Sequence, residues 1–351
     1  MKKKVVIFID LIAAKNRLQL DVINEMGLEP VVFVNIYKPA SNEYLGEGGT
    51  QFKLADGFIP RLKQVYRFLK DQRRSTHHLE IYPGGRFSFL YLLLAKYFSL
   101  KTICAERGDL LYYQKGGYSA FVRWSMYICY KFADVIWYRE PYMRAKLETI
   151  RKDGLVFLHN AIDDHHKSDD ASPSKTIDFL WLNRVIPERK SKWFLNILGK
   201  SGFAHTKNML VGLQEGTVFN TDVDHVKNNL PPNLQAVPYS PTPDLYFQQA
   251  RFFVLPSDVV FANHALLEAM SFGVVPIVSR TQGADLIVDD EENGFLFEYN
   301  EQAFEAAMQK ALNLSEETYR KYSLASKEKI RRDFSAEKFR SNLQKLYGLV
   351  D

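Results

Sequence analysis

Short, unbroken apolar runs recur along this chain, each followed by a longer stretch whose apolar positions fall on a helical period. Val5–Ile9 is the first such run, Arg17–Met26 the helix-like stretch after it, and Val31–Asn35 the second run. Runs of this length suit strands buried on both faces, as in a parallel sheet covered by helices. A long helix is expected over Ile59–Arg73, with Ile59, Leu62, Val65, Tyr66 and Leu69 on the inner side. Arg61, Arg67, Lys70, Arg73 and Arg74 fall largely elsewhere. Strands are then expected at Leu79–Tyr82, Thr102–Ala105, Val135–Tyr138 and Val156–Leu158. Helices alternate with them at Phe87–Phe98, Tyr118–Phe132 and Tyr142–Ile150.

The segment Asp164–Lys175, rich in Asp, His, Ser and Pro, breaks this rhythm and reads as a linker. Alternation resumes with strand Ile177–Leu182, helix Ser191–Leu198, strands Met209–Val211 and Leu234–Val237, and a short helix Pro243–Gln249. Phe252–Leu255 is the next strand, ended by Pro256-Ser257. Asn263 stands as a cap before the apolar run Ala265, Leu266, Ala269 and Met270, and Gly273 stops that helix. Strand Val274–Val278, the turn Asn293-Gly294 and strand Phe295–Phe297 follow, and the tail is helical over Gln302–Leu312, Glu316–Arg331 and Ala336–Tyr347. Two alternating halves imply two α/β domains, which suits a chain of 351 residues. The boundaries drawn are 1–167 and 176–333, with 334–351 as a closing helix.

Composition removes several classes. Cys104 and Cys129 fit neither a disulfide framework nor a metal site, and read as buried thiols in a reducing compartment. The opening MKKKVVIFID mimics a signal peptide, but Asp10 interrupts it and a first buried strand is the better reading. The longest apolar run, Phe87–Ala95, is too short to span a bilayer. Charge is uneven: residues 1–175 carry a net +8 and the remainder a net −3. A basic first half suggests an anionic partner. No nucleic-acid motif is present, so an anionic membrane face or a phosphate-bearing lipid fits better than nucleic acid.

The loop leading into Asn263 and its helix points backbone N–H groups and the positive dipole end at one spot, where an anion sits. Glu268 lies one turn beyond His264 and reaches a hydroxyl beside that anion. The run Asn183-Arg184-Val185-Ile186-Pro187-Glu188-Arg189-Lys190 follows another strand, so its cations are placed to clamp a diphosphate; the alternative is a solvated charge cluster. Asn263 and His264 either contact the ligand or, for Asn263, only cap. Glu106 and Arg107 end a strand of the first half, as ligand-binding groups or as an ion pair, and Gly84-Gly85 permits close approach or simply turns. Asp222-Val223-Asp224 reads as helix capping, and Asp163-Asp164-His165-His166 lacks spaced partners, so no metal is expected.

The pieces Pro256-Ser257, Leu267-Glu268-Ala269-Met270, Gly273, Pro276-Ile277-Val278 and Asn293-Gly294-Phe295-Leu296 resemble, in order and spacing, the donor-binding core of retaining, family-4 type GT-B glycosyltransferases. His159-Asn160-Ala161-Ile162-Asp163 resembles that family's P-N-G-V-D signature, and the Arg184–Lys190 run its G-R-L-x-x-E-K-G loop. The resemblance implies a GT-B fold: two Rossmann-like domains facing across a cleft, the second binding the donor and the last helix crossing back onto the first. It implies transfer of a sugar from a UDP- or GDP-linked donor, with retention, to a glycan or lipid-linked acceptor. The setting implied is bacterial cell-surface polysaccharide synthesis, in the cytoplasm or on the inner face of the membrane. No cofactor is expected beyond the nucleotide-sugar co-substrate. Catalytic roles fall on Arg184, Arg189, Lys190 and Glu268, donor contacts on Gly212, Asp258, Val260, Asn263, His264, Ala265, Leu266 and Glu268, and acceptor contacts on Gly84, Gly85, Glu106 and Arg107. Three departures from the pattern support a second reading, a catalytically degenerate scaffold that binds nucleotide or glycan. Val260 replaces the first of two glutamates, only Gly212 survives of a G-D-G loop, and no His follows the fifth strand.

Overall fold

The computed structural model describes residues 2–46, 48–108, 110, 117–162, 175–214, 220–240, 242–261 and 263–350. Asp109, Ala262, the Asp163–His166 cluster and all of the expected linker but Lys175 lie outside them. The chain divides into two units, one of Met1–His159 with Ala336–Asp351, the other of Asn160–Ser335. Drawn from the sequence, these divisions lay at 167 and 334. Asn160–Ile162 go with the second unit because Ile162 is buried in its core, bridges Ser335 and donates its N–H to Phe334 O (3.1 Å).

The first unit is built on strands β1 (Lys4–Ile9), β2 (Glu29–Val34), β3 (Thr50–Lys53), β4 (Thr76–Ile81), β5 (Lys101–Glu106), β6 (Val135–Tyr138) and β7 (Leu155–Phe157). They form one parallel sheet in the order β3-β2-β1-β4-β5-β6-β7. The direction of winding reverses between β1 and β4, which opens a crevice at their carboxyl ends. Strand β3 has no apolar signature: it is a four-residue edge strand, largely exposed, and was not visible in the sequence pattern. The helix Phe58–Gln72 corrects an expectation. Ile59, assigned to the inner side, is 61% exposed, whereas Arg61 is 8% exposed and donates from Nε to Ala55 O (2.9 Å) and from Nη1 to Tyr91 Oη (3.3 Å). A buried guanidinium with carbonyl and hydroxyl acceptors is tolerable where a bare one is not. Cys104 and Cys129 are buried thiols outside any disulfide among the described residues, and burial pushes the Cys129 thiol up.

The last helix, Ala336–Gly348, packs on Arg17–Glu25. Leu343, Leu346 and Tyr347 are its buried face, and Tyr347 donates to Glu80 on β4, a carboxylate with no solvent exposure. Gln19 Nε2 also donates to Glu80, at 2.6 Å, and His78 Nε2 lies 3.5 Å from it.

The second unit repeats the winding with β8 (Ile177–Leu182), β9 (Asn208–Leu213), β10 (Leu234–Pro238), β11 (Ala250–Leu255), β12 (Val275–Ser279) and β13 (Phe295–Phe297). All pairs are parallel, in the order β10-β9-β8-β11-β12-β13, so the reversal falls between β8 and β11. Both faces are covered, by one apolar cluster around Phe179, Trp181, Phe194 and Phe252 and another around Leu180, Phe253, Leu266 and Met270. No helix among the described residues is long and apolar enough to cross a membrane.

Candidate active site

Three loops leave the carboxyl ends of β8, β11 and β12 and are fastened to one another. Ser257 N donates to Ser279 Oγ (2.9 Å) and Thr281 Oγ1 to Ser257 O (3.0 Å), which bolts the Pro256-Ser257 turn to the end of β12. Val260 N and Phe261 N both donate to Gln282 O (3.1 and 3.3 Å). Asp258 N donates to Glu188 O (3.1 Å) and Arg189 Nη1 to Ser257 Oγ (3.2 Å), tying in the loop after β8. Gly212 closes the arrangement from β9. At φ +126° its Cα faces the Asn183 carbonyl so closely that any Cβ would sit 2.1 Å from that oxygen.

The helix His264–Ser271 starts from this loop cluster. Asn263 caps it, accepting from Leu266 N (3.0 Å) and donating from Nδ2 to Asn183 Oδ1 (3.3 Å). The cap takes the Leu266 N–H, and Leu266 itself is fully buried, so this expected donor contact is withdrawn for packing reasons. Ala265 N–H has no partner among the described residues and His264 stands at the same helix start, where the dipole is positive. Glu268 follows one turn later, half-buried. Val260 is corrected more fully. It is 1% exposed and sits in the core with Leu255, Leu266 and Val278, where an apolar β-branched side chain belongs and a ligand contact does not.

The cations are set against local preference. Lys190 takes a left-handed conformation (φ 53°, ψ 41°) and stands at the start of helix Ser191–Leu198, whose first turn holds no acid and includes Lys192. A positive φ on a non-glycine residue and cations at a helix N-terminus both cost stability, and such violations concentrate where a ligand compensates them. Lys190 Nζ is held 5.7 Å from the Trp193 ring centroid and 5.9 Å from that of Tyr299. Arg184, at the end of β8, is exposed and makes no hydrogen bond or ion pair with the described residues.

Two residues that sequence reasoning did not single out also belong here. Among the described residues, Asn183 presents a buried Nδ2 without a partner, and Tyr299 a buried hydroxyl without one. Burial, then the Asp258 and Glu188 carboxylates, pushes the Tyr299 phenol up to about 12, so it stays a neutral donor. Both stand just past the end of a parallel strand, which is the signal that could have found them.

The first unit holds a cavity of about 400 Å³ at its own winding reversal, lined among others by Asp10, Arg61, Gly84, Gly85, Arg86 and Arg107. Lys15 adds a fourth cation to the wall, while Asp10 accepts from Asn35 Nδ2 (2.6 Å). Gly84 and Gly85 thus line a cavity, as does Arg107. That guanidinium donates from Nη2 to Gln19 Oε1 (2.5 Å) and lies over the rings of Tyr82 and Trp137. Glu106 is different. Wholly buried, it accepts from Gly108 N (2.7 Å), Leu110 N (3.0 Å) and Tyr130 Oη, and so staples the loop after β5 and does not face the cavity. Of the Asp-x-Asp pair, Asp222 lies in the first turn of Asn220–Asn228, 3.8 Å from Lys192. No group of three metal-ligating side chains occurs among the described residues.

Residues 166–329 match the family model of the glycosyl transferases group 1. Among curated proteins none matches the chain in sequence. The fold is similar to that of a glycosyltransferase from Rickettsia africae (TM-score 0.79, 12% identity, 99% of this chain and 98% of that one). It is similar also to Anabaena Alr3699/HepE, solved with UDP and glucose (TM-score 0.80, 10% identity, 99% of each chain). A third is a sucrose-phosphate synthase from Thermosynechococcus elongatus (TM-score 0.75, 15% identity, 99% and 98%). At these identities the likeness is one of fold, the two Rossmann-like domains of GT-B proteins. The matched residues span most of the second unit, and the match and the fold together support a transferase enzyme.

Proposed function

We propose that this transferase moves a sugar from a UDP- or GDP-linked donor to a glycan or lipid-linked acceptor, with retention at the anomeric carbon. The observation that carries the reading is the strained, cation-bearing loop Arg184–Lys190 fastened to the start of the His264–Ser271 helix. The nucleotide diphosphate lies against the Ala265 N–H and the positive dipole end of that helix, with Arg184, Arg189 and Lys190 as counter-charges. Glu268, on the same helix, takes the ribose hydroxyls. As the glycosidic bond breaks, charge grows on the departing diphosphate, and preorganised cations and dipoles stabilise that charge more than they stabilise the intact donor. With Val260 in the core, donor-sugar hydroxyls fall to Asp258, His264 and the Tyr299 hydroxyl. The similar Anabaena protein, solved with UDP and glucose, supports a donor of this class.

The basic cavity of the first unit is the acceptor site in this reading, with an anionic membrane as the acceptor's source and cell-surface polysaccharide synthesis as the setting. The alternative, a scaffold that binds nucleotide without transfer, shares the cation-bearing loop and differs in giving no turnover. The test is turnover of a panel of UDP- and GDP-sugars with membrane extract as acceptor, in EDTA, followed by NMR of the product's anomeric proton. Transfer with the donor's anomeric configuration kept is expected. Transfer with inversion sinks the stereochemical part, and no turnover with any donor sinks the whole.

A further inference from the structure

Helices Phe58–Gln72, Ser88–Tyr97 and Ala120–Phe132 of the first unit pack side by side in that order. Together they carry seven Lys and Arg and a single acid, Asp71. Their outer faces also carry large apolar side chains in the open. Phe121 is 44% exposed, Trp124 48% and Phe132 54%, and Phe58 and Tyr97 are exposed as well. These are not scattered singles. Phe58 meets Phe87 (6.0 Å between centroids), Arg86 lies over both Phe87 and Phe121, and Phe121, Phe89 and Trp124 meet one another within 5.7 Å.

The aromatic patch from Phe58 to Trp124 lies on helices whose cations outnumber their acids, with Arg61 buried and Lys96 paired to Asp134 (2.8 Å), and it is complementary to one kind of partner. Aromatic rings settle at the boundary of headgroups and acyl chains, and each nearby cation is drawn to an anionic surface. A protein partner of ordinary charge gains nothing from such one-signed surroundings. We propose that the first unit docks on an anionic lipid bilayer through this face. The docking does not depend on the transfer reaction. Arg86 and Phe87 do, however, belong both to this surface and to the cavity wall, so a headgroup at the bilayer surface arrives at the mouth of that cavity.

Sedimentation with phosphatidylcholine vesicles, with and without one-third phosphatidylglycerol at low salt, tests the proposal without any donor. The chain should pellet with the anionic vesicles and not with the neutral ones. Phe121→Ser with Trp124→Ser, and separately Arg123→Glu with Lys131→Glu, should each weaken binding about tenfold while leaving the thermal melt unchanged, since all four side chains are exposed. On the unaltered chain, brominated phosphatidylglycerol should quench part of the tryptophan emission. Equal pelleting with both vesicles, unaltered binding by either folded variant, or absence of quenching overturns the proposal. So does a dimer by light scattering that the Phe121→Ser, Trp124→Ser pair converts to monomer, because the face then serves self-association.

Discussion

Val260 stands where the resembling family carries a glutamate, and its surroundings decide what restoring that glutamate does. The site is 1% exposed and belongs to the same apolar cluster as Leu255, Leu266 and Val278. A carboxylate placed there has no partner, and an unpaired buried charge costs roughly 3–5 kcal/mol. Val260→Glu should therefore lower stability in urea by about that amount and not tighten donor binding. A variant as stable as the parent with higher donor affinity would contradict this packing. Lys175 makes a second prediction. Burial first, then Lys327 and Arg251, holds its amine down to about 8, below the ordinary 10.5 of an unfolded chain. Unfolding takes up a proton between those values, so stability is penalised below pH 8 and recovers as pH rises through the window. Lys175→Met should be more stable than the parent by about 1 kcal/mol at pH 7, the gap closing towards pH 10.5 in denaturant titrations.

Among the elements, the strands with unbroken apolar runs were legible almost to the residue, since a buried parallel strand has no other way to be written. Motif residues were legible as a set but not by role. Gly294 is held by Pro276, whose Cγ a Cβ would approach to 2.5 Å, and Asn293 caps the turn at Asp289 N (3.0 Å). Both support the fold of the loops around the site. Arg61 and Ile59 were misread because helical period says which residues share a face, not what lies opposite it. Here a polar cavity lies opposite the first turn. Invisible to any periodicity was the network around Glu80, assembled from three distant segments. Tyr347 is pushed well above its ordinary pKa by burial and then by Glu80, so it remains a donor to that carboxylate at all working pH values. Tyr347→Phe leaves Glu80 short of a donor, and should cost about 1–3 kcal/mol in a denaturant melt. No change in the melt would mean that the hydroxyl does not hold the last helix.

At the scale of the whole molecule, two sheets of the same winding each place a polar site at the reversal of strand order. Alternation alone pointed to the carboxyl ends of the strands, where ligands of open α/β sheets bind, but not to the strand order that sets the reversal. The acidic and basic halves were likewise legible, and so was the cation-bearing run Arg184–Lys190, but not how the backbone holds it. Lys190 was singled out as a cation of that loop, but its left-handed backbone and its two aromatic neighbours are visible only in the structure. The central claim is that the Arg184–Lys190 loop and the His264 helix start hold a nucleotide diphosphate. Calorimetric titration of UDP and GDP into the parent chain, Arg184→Ala and Arg189→Ala tests it most directly. One of the two nucleotides should bind the parent, more tightly than its monophosphate. Each substitution should weaken it about tenfold or more, as expected for loss of a charge-assisted contact. Nucleotide affinity unchanged in both variants, or no preference for diphosphate over monophosphate, would contradict the account.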